Sequence, residues 1–187
     1  MTVFMKVLRL VITGPVGAGK SSFVRSISDS EVVNTDSPAT DETARFKPNI
    51  TVAFDFGQRQ LDSSTMLHLY GTPGQSRFDF MWDILIKHAH AYILLVPSHL
   101  PSEFQNAKLI LDFMQQRTRI PMVIGVTHQD CLHARSAVGI AIALGLLDRK
   151  DKTIPIIDIN ATNRRSIEKS IVSVFSSHSR FQARSLC

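Results

Sequence analysis

Gly14-Pro15-Val16-Gly17-Ala18-Gly19-Lys20-Ser21 has the spacing glycine, four residues, glycine, lysine, hydroxyl. A run of this kind can hold a chain of phosphates. Glycines let backbone N–H groups turn inward without Cβ clashes. A helix that starts at the end of the run adds partial positive charge. Lys20 would reach the β- and γ-phosphates, and Ser21, followed by Ser22, would offer a hydroxyl to Mg²⁺. The bland alternative is a glycine turn between strand and helix. The context argues against it, because the run leaves an apolar segment and enters a helical one, as phosphate binding requires.

Three further segments sit where chemistry would need them. Gly71-Thr72-Pro73-Gly74-Gln75 follows an apolar strand that ends at Tyr70. Gly74 could present its N–H to a γ-phosphate, and Gln75 could orient an attacking water. Thr127-His128-Gln129-Asp130 follows another such strand. A carboxylate there can accept from N1–H and the exocyclic amine of guanine, a donor pair that adenine lacks. The competing role for Asp130 is a helix N-cap ahead of Arg135. Asn160-Ala161-Thr162 follows the last strand, where a backbone N–H could meet guanine O6.

The elements that must position these residues follow from periodicity. Val3 to Thr13 reads as a buried strand and Lys20 to Ser28 as a helix. Residues 30–49 show no period and form a long loop. Ile50 to Phe56 and Met66 to Tyr70 read as a hairpin with its turn region across Gly57 to Ser64. Gly71 to Asp79 is a second glycine-bearing loop. Strands over Ala91 to Val96, Pro121 to Val126 and Ile154 to Ile159 then alternate with helices over Phe104 to Gln116, Arg135 to Leu146 and Ser166 to Ser176. Such alternation implies crossover units and a mostly parallel sheet.

Composition bounds the class. The chain has 187 residues, 44% apolar and 20% charged, which suits one soluble domain. Two cysteines, Cys131 and Cys187, exclude a disulfide scaffold. The net charge of +5 favours anionic partners, although a solvated basic surface is the plainer reading than a nucleic-acid groove. No apolar run approaches the ~20 residues that a spanning helix needs. Met1 to Leu10 carries Lys6 and Arg9 and lacks a small-residue cleavage site, so no secretory signal is expected, and Cys187 is not in a prenylation box. The seven histidines show no metal-ligand spacing. Trp82, Phe78 and Phe80 form an aromatic group that is either core or a partner-binding surface.

With GPVGAGKSS at 14–22, TVAFDFG at 51–57 and LHLYGTPGQSRFDFMWD at 67–83, the chain resembles Ras-like small GTPases, in particular the bacterial MglA-like branch, over about residues 5–175. The resemblance implies a three-layer α/β P-loop GTPase fold: a mostly parallel six-stranded sheet with one antiparallel edge strand and helices on both faces. It implies a GTPase domain over 1–178 and a short basic tail over 179–187. GTP, GDP and Mg²⁺ are the implied ligands, a small roadblock-domain protein the implied partner, and the cytoplasm the implied location. It carries the phosphate role onto Gly14 through Ser22. Thr51 is the implied switch I threonine for Mg²⁺, Gln75 the catalytic glutamine beside Lys20 and Gly74, and Asp130 the guanine reader with Thr127, His128, Ala161 and Thr162.

Several positions depart from the family pattern. Gly71 stands where switch II usually begins with an Mg²⁺-holding Asp, and Asp55 on the neighbouring strand is the candidate replacement. Ser76 replaces a usual Glu. The base motif N-K-x-D has become Thr127-His128-Gln129-Asp130. Val16 replaces glycine and crowds the path of a partner's arginine finger, which turns attention to Arg45 and Arg77 in the same chain. The expected function is a slow GTPase switch in signalling or polarity. A nucleotide-holding scaffold that hardly hydrolyses is the rival reading, and a P-loop small-molecule kinase a more distant one. Contact of the basic tail with an anionic membrane surface stays open.

Overall fold

The computed structural model describes residues 5–34, 54–74, 79–147 and 154–184. In chain order the elements are β1 (Lys6–Thr13), α1 (Lys20–Ile27), β2 (Val33–Asn34), β3 (Asp55–Asp62), β4 (Thr65–Gly71), α2 (Asp79–Lys87), β5 (Ala91–Pro97), a 3₁₀ turn (Pro101–Glu103) that runs into α3 (Phe104–Arg117), β6 (Met122–Thr127), α4 (Ala137–Ala143), β7 (Ile156–Asp158) and α5 (Arg164–Arg184). They form one sheet of order β2-β3-β4-β1-β5-β6-β7. Strands β4, β1, β5, β6 and β7 pair in parallel. β3 runs against both of its neighbours. The three-layer, mostly parallel architecture is the expected one. The two-residue β2 adds a seventh strand outside β3, so the antiparallel strand lies one place in from the edge.

Alternation along the strands builds two cores. Leu10 and Ile12 of β1 face α1 and α5, where they pack with Phe23, Ile27, Ile167 and Ile171. Val11 faces the other way, into a layer with Trp82, Ile86, Ile110, Met114 and Ile140 from α2, α3 and α4. Every residue of β5 is buried, the pattern of a central strand covered on both faces. Parallel strands place their C-terminal ends on one edge. The loops that follow β1, β4, β5, β6 and β7 therefore converge there.

The hairpin differs from the sequence expectation. Among the described residues its first strand is Asp55–Asp62, which runs past the expected end at Phe56, and the turn is only 63–64; residues 50–53 of the expected strand lie outside the described residues. Gln58, Arg59 and Gln60 look like loop residues, yet they pair with His68, Leu67 and Met66. Their polarity reflects an outer strand. Arg59 spends its charge on Asp29 and Glu168, at 3.0 and 2.9 Å. The turn closes on the Asp62 carboxylate, which accepts from the Ser64 N–H at 2.8 Å. Two helix features were also not anticipated. Helix α2 had no clear sequence signal. Helix α5 starts earlier than Ser166, because Asn163 is the cap: its Oδ1 accepts from the Ser166 N–H at 3.0 Å. The same helix continues to Arg184, past residue 178.

Candidate nucleotide site

The phosphate loop joins β1 to α1. Gly14, Gly17 and Gly19 all have positive φ, at 146°, 75° and 90°. A Cβ on Gly14 would strike the Leu95 carbonyl oxygen of β5, so that position needs glycine twice over. Gly19 serves as the N-cap of α1. Lys20 folds back over the loop and donates to the Gly14 and Pro15 carbonyls at 2.8 and 2.7 Å. Burial pulls its pKa down to about 8, although the Asp55 and Glu103 carboxylates pull it upward. Ser21 and Ser22 follow in the first turn of α1, both half-buried. Val16 stands out from the loop with 54% exposure.

The loop after β4 closes over this one. The Thr72 N–H donates to the Ile12 carbonyl at 2.9 Å, and its hydroxyl donates to Thr13 Oγ1 at 3.1 Å. The Trp82 indole N–H donates to the Pro73 carbonyl at 2.9 Å and pins the turn. Gly74 then lies against the phosphate loop. A Cβ there would sit 2.7 Å from the Val16 nitrogen and 2.8 Å from Lys20 Nζ, so no other residue fits this approach. Trp82 is 4% exposed and meets Phe113 edge-on at 5.4 Å, so it belongs to the core. Phe80 is exposed. Gln75, Arg77, Phe78, Arg45 and Thr51 lie outside the described residues.

Asp55 and Gly71 face each other across the hairpin register. Asp55 is buried, and its Oδ2 lies 3.1 Å from where a Cβ on Gly71 would stand. The carboxylate thus fills the space that the missing side chain leaves. Its register beside Gly71 puts it at the end of β4, and its charge raises the pKa of Lys20. A carboxylate and a hydroxyl are hard oxygen donors, the chemistry that Mg²⁺ takes.

The second end of the site gathers three loops. Thr127 Oγ1 donates to the Ala18 carbonyl at 3.0 Å and so ties the end of β6 to the phosphate loop. With its proton committed, the hydroxyl offers a lone pair to the Nδ1–H of His128, 3.0 Å away. His128 has φ 59° and stacks on His99 with ring centroids 4.4 Å apart. Burial, then the neighbouring His99, push its pKa down, against an upward pull from Asp130. A Cβ on Gly19 would lie 3.1 Å from the Ala161 Cβ and 3.8 Å from His128 Cε1, so both loops abut the start of α1. Thr162 is held by Asn160, whose Oδ1 accepts from its N–H at 3.0 Å. Asp130 is exposed and is not a helix cap: Ser136 caps α4, accepting from the Gly139 N–H at 3.3 Å.

Three residues escaped the sequence reading. Ser98 donates its hydroxyl to the Thr127 carbonyl at 2.6 Å, His99 stacks on His128, and Glu103 acts on Lys20. All three follow β5. The usable signal was position alone, since the C-terminal end of a central parallel strand points into the site.

The topology and the convergence of glycine loop, post-β4 loop and post-β6 loop define a P-loop protein with the small-GTPase fold. A solved structure of the Arl6 BBS3 small GTPase from Trypanosoma brucei with bound GppNp is similar, with a TM-score of 0.68 and 14% identity, covering 94% of this chain and 99% of that one. The chain belongs to the family described as conserved hypothetical ATP binding protein, whose model matches residues 30–183. No curated protein matches the chain.

Proposed function

We propose that the chain is a guanine-nucleotide-binding switch that hydrolyses GTP slowly, with affinities to the MglA-like branch. The observation that carries this reading is the Thr127–Ala18 tie. It seats a base-side loop bearing Asp130 against a phosphate loop whose Lys20 is already buried and turned inward. Lys20 and the loop N–H groups bind the phosphates, His128 and Ala161 wall the base, and Asp130 selects guanine. Ser21 and Asp55 would hold Mg²⁺, with Thr51 joining from switch I, and the ion would neutralise charge on the β- and γ-phosphates. Gln75 orients the attacking water, and Gly74 senses the γ-phosphate.

The family description speaks of ATP, so the base is the first matter to test. A fluorescent GDP analogue is competed by GTP, GDP and ATP, with Mg²⁺, on wild type and Asp130→Asn. Guanine preference that collapses in the variant supports the proposal. Equal competition by ATP in the wild type overturns it and favours an ATP-binding role. A second reading, a nucleotide-holding scaffold with little hydrolysis, draws on the absence of a switch II Asp at Gly71. Turnover indistinguishable from solution, with nucleotide bound, would select it. A roadblock-domain regulator docking on the switch loops belongs to the first reading.

A further inference from the structure

Strands β5 and β6 end side by side, with Pro97 paired to Thr127, and the residues just beyond are stitched together. The Thr127 carbonyl accepts from the Ser98 N–H at 3.1 Å and from the Ser98 hydroxyl at 2.6 Å. The Ser98 carbonyl accepts in turn from the Arg135 N–H at 3.0 Å, at the far side of the base-side loop. This stitch brings the next residues, His99 and His128, ring to ring, with centroids 4.4 Å apart and planes 38° from parallel. His128 has φ 59°, a conformation that residues with a Cβ enter at a cost and that persists where neighbours hold it. Two of its holds are local. Its Nδ1 lies 3.0 Å from Thr127 Oγ1, and its carbonyl accepts from the Cys131 N–H at 3.1 Å. His99 reaches it from another strand end. Among the described residues the buried Nδ1 of His99 has no hydrogen-bond partner, so the ring contact and the Ser98 stitch place this side chain, not that nitrogen.

We propose that His99 is a positioning residue for guanine recognition: its ring clamps His128 in the left-handed conformation that keeps the imidazole beside Gly19 and the loop bearing Asp130 in one arrangement. The role deepens the guanine reading of the site and rests on it. A loop that leaves its binding-competent arrangement part of the time weakens apparent affinity by the fraction lost. A ring–ring contact of this kind is strong enough to shift that balance. The imidazole also does something that a phenyl ring would not. Burial, then His99, hold the His128 pKa below the ordinary histidine value, against the upward pull of the Asp130 carboxylate. His99 and Asp130 are the titratable groups that act on His128 among the described residues. A proton on His128 would draw it to Asp130, in competition with guanine for the same carboxylate. A second imidazole against the ring opposes that proton.

The full-length protein is assayed by competition of a fluorescent GDP analogue with GDP and ATP at about pH 8, above the histidine range. His99→Ala should weaken GDP about two- to tenfold, the worth of one ring contact, and His99→Phe should restore it. His128→Gly removes the ring and takes positive φ without cost. In that background His99→Ala should have no further effect, because the residue it clamps is gone. A merely structural role would weaken GDP equally in both backgrounds. NMR titration of the His128 Cε1–H supplies a second readout. Its midpoint should move up in His99→Phe, where the ring stays and the like charge goes. Unchanged GDP affinity in His99→Ala, no rescue by Phe, equal losses in both backgrounds or an unmoved midpoint overturns the proposal. A wild type that prefers GDP, with the preference lost in Asp130→Asn, makes such a failure one of His99 alone. A wild type without that preference overturns the guanine reading and this role together.

Discussion

At the scale of single residues, Lys20 is the most informative. Its ammonium is buried and satisfied by two carbonyls, and burial has lowered its pKa from 10.5 to about 8. Two opposite pH trends follow. Folding disfavours the charged form, so the penalty is present in full below pH 8 and is relieved as pH climbs from about 8 towards 10.5. Stability of the nucleotide-free protein should therefore rise across that window. Phosphate binding does the reverse: it favours the ammonium and raises its pKa. Affinity should fall as pH passes above 8, by up to about tenfold per unit. Competition binding from pH 7 to 9.5, beside denaturant melts of the free protein, checks both signs. A flat affinity profile would remove Lys20 from phosphate binding.

At the scale of elements, the site depends on loops that tie strand ends together. Thr127 is 1% exposed and bridges the end of β6 to Ala18. Thr127→Val keeps the shape but removes the donor, leaving the Ala18 carbonyl without that partner and His128 without its acceptor. The cost of an unmet buried polar group is about 1–3 kcal/mol. We expect stability to fall by that amount, read as a lower Tm, and nucleotide binding to weaken, because the base-side loop loses its anchor. Thermal unfolding with and without nucleotide tests this. A variant with unchanged affinity would mean that the tie is structural alone. The hairpin makes the same point in another way. Register places Asp55 opposite Gly71, so a carboxylate on one strand occupies the space vacated on the next.

At the scale of the molecule, apolar packing outweighs ion pairing. Leu95 on β5 is fully buried, and Leu95→Ala should destabilise by about 2–5 kcal/mol through lost burial and a cavity. The surface network looks more conspicuous: Arg59 and Arg164 bridge Asp29 and Glu168 and link β3, the end of α1 and α5. Its side chains are 21–48% exposed, so solvent screens them. Arg59→Met should cost less than about 1 kcal/mol. Urea midpoints of the two variants decide the order, and a larger loss in Arg59→Met would refute it. Among the described residues no helix is long and apolar enough to cross a membrane.

Local sequence determined the phosphate loop and the fold class. Glycines at fixed spacing dictate backbone conformation by themselves, and alternating strand and helix patterns leave few ways to wind a parallel sheet. Sequence also put Asp130 and residues 160–162 just after strands, and in the structure they follow β6 and β7. Tertiary structure decided what long-range pairing controls. The polar strand Asp55–Asp62 became a strand because β4 pairs with it, not through its own propensity. Asp55 meets Gly71 only through that register. His99 and Glu103 carry no motif, and they reach His128 and Lys20 only because parallel strands deliver their ends to one edge.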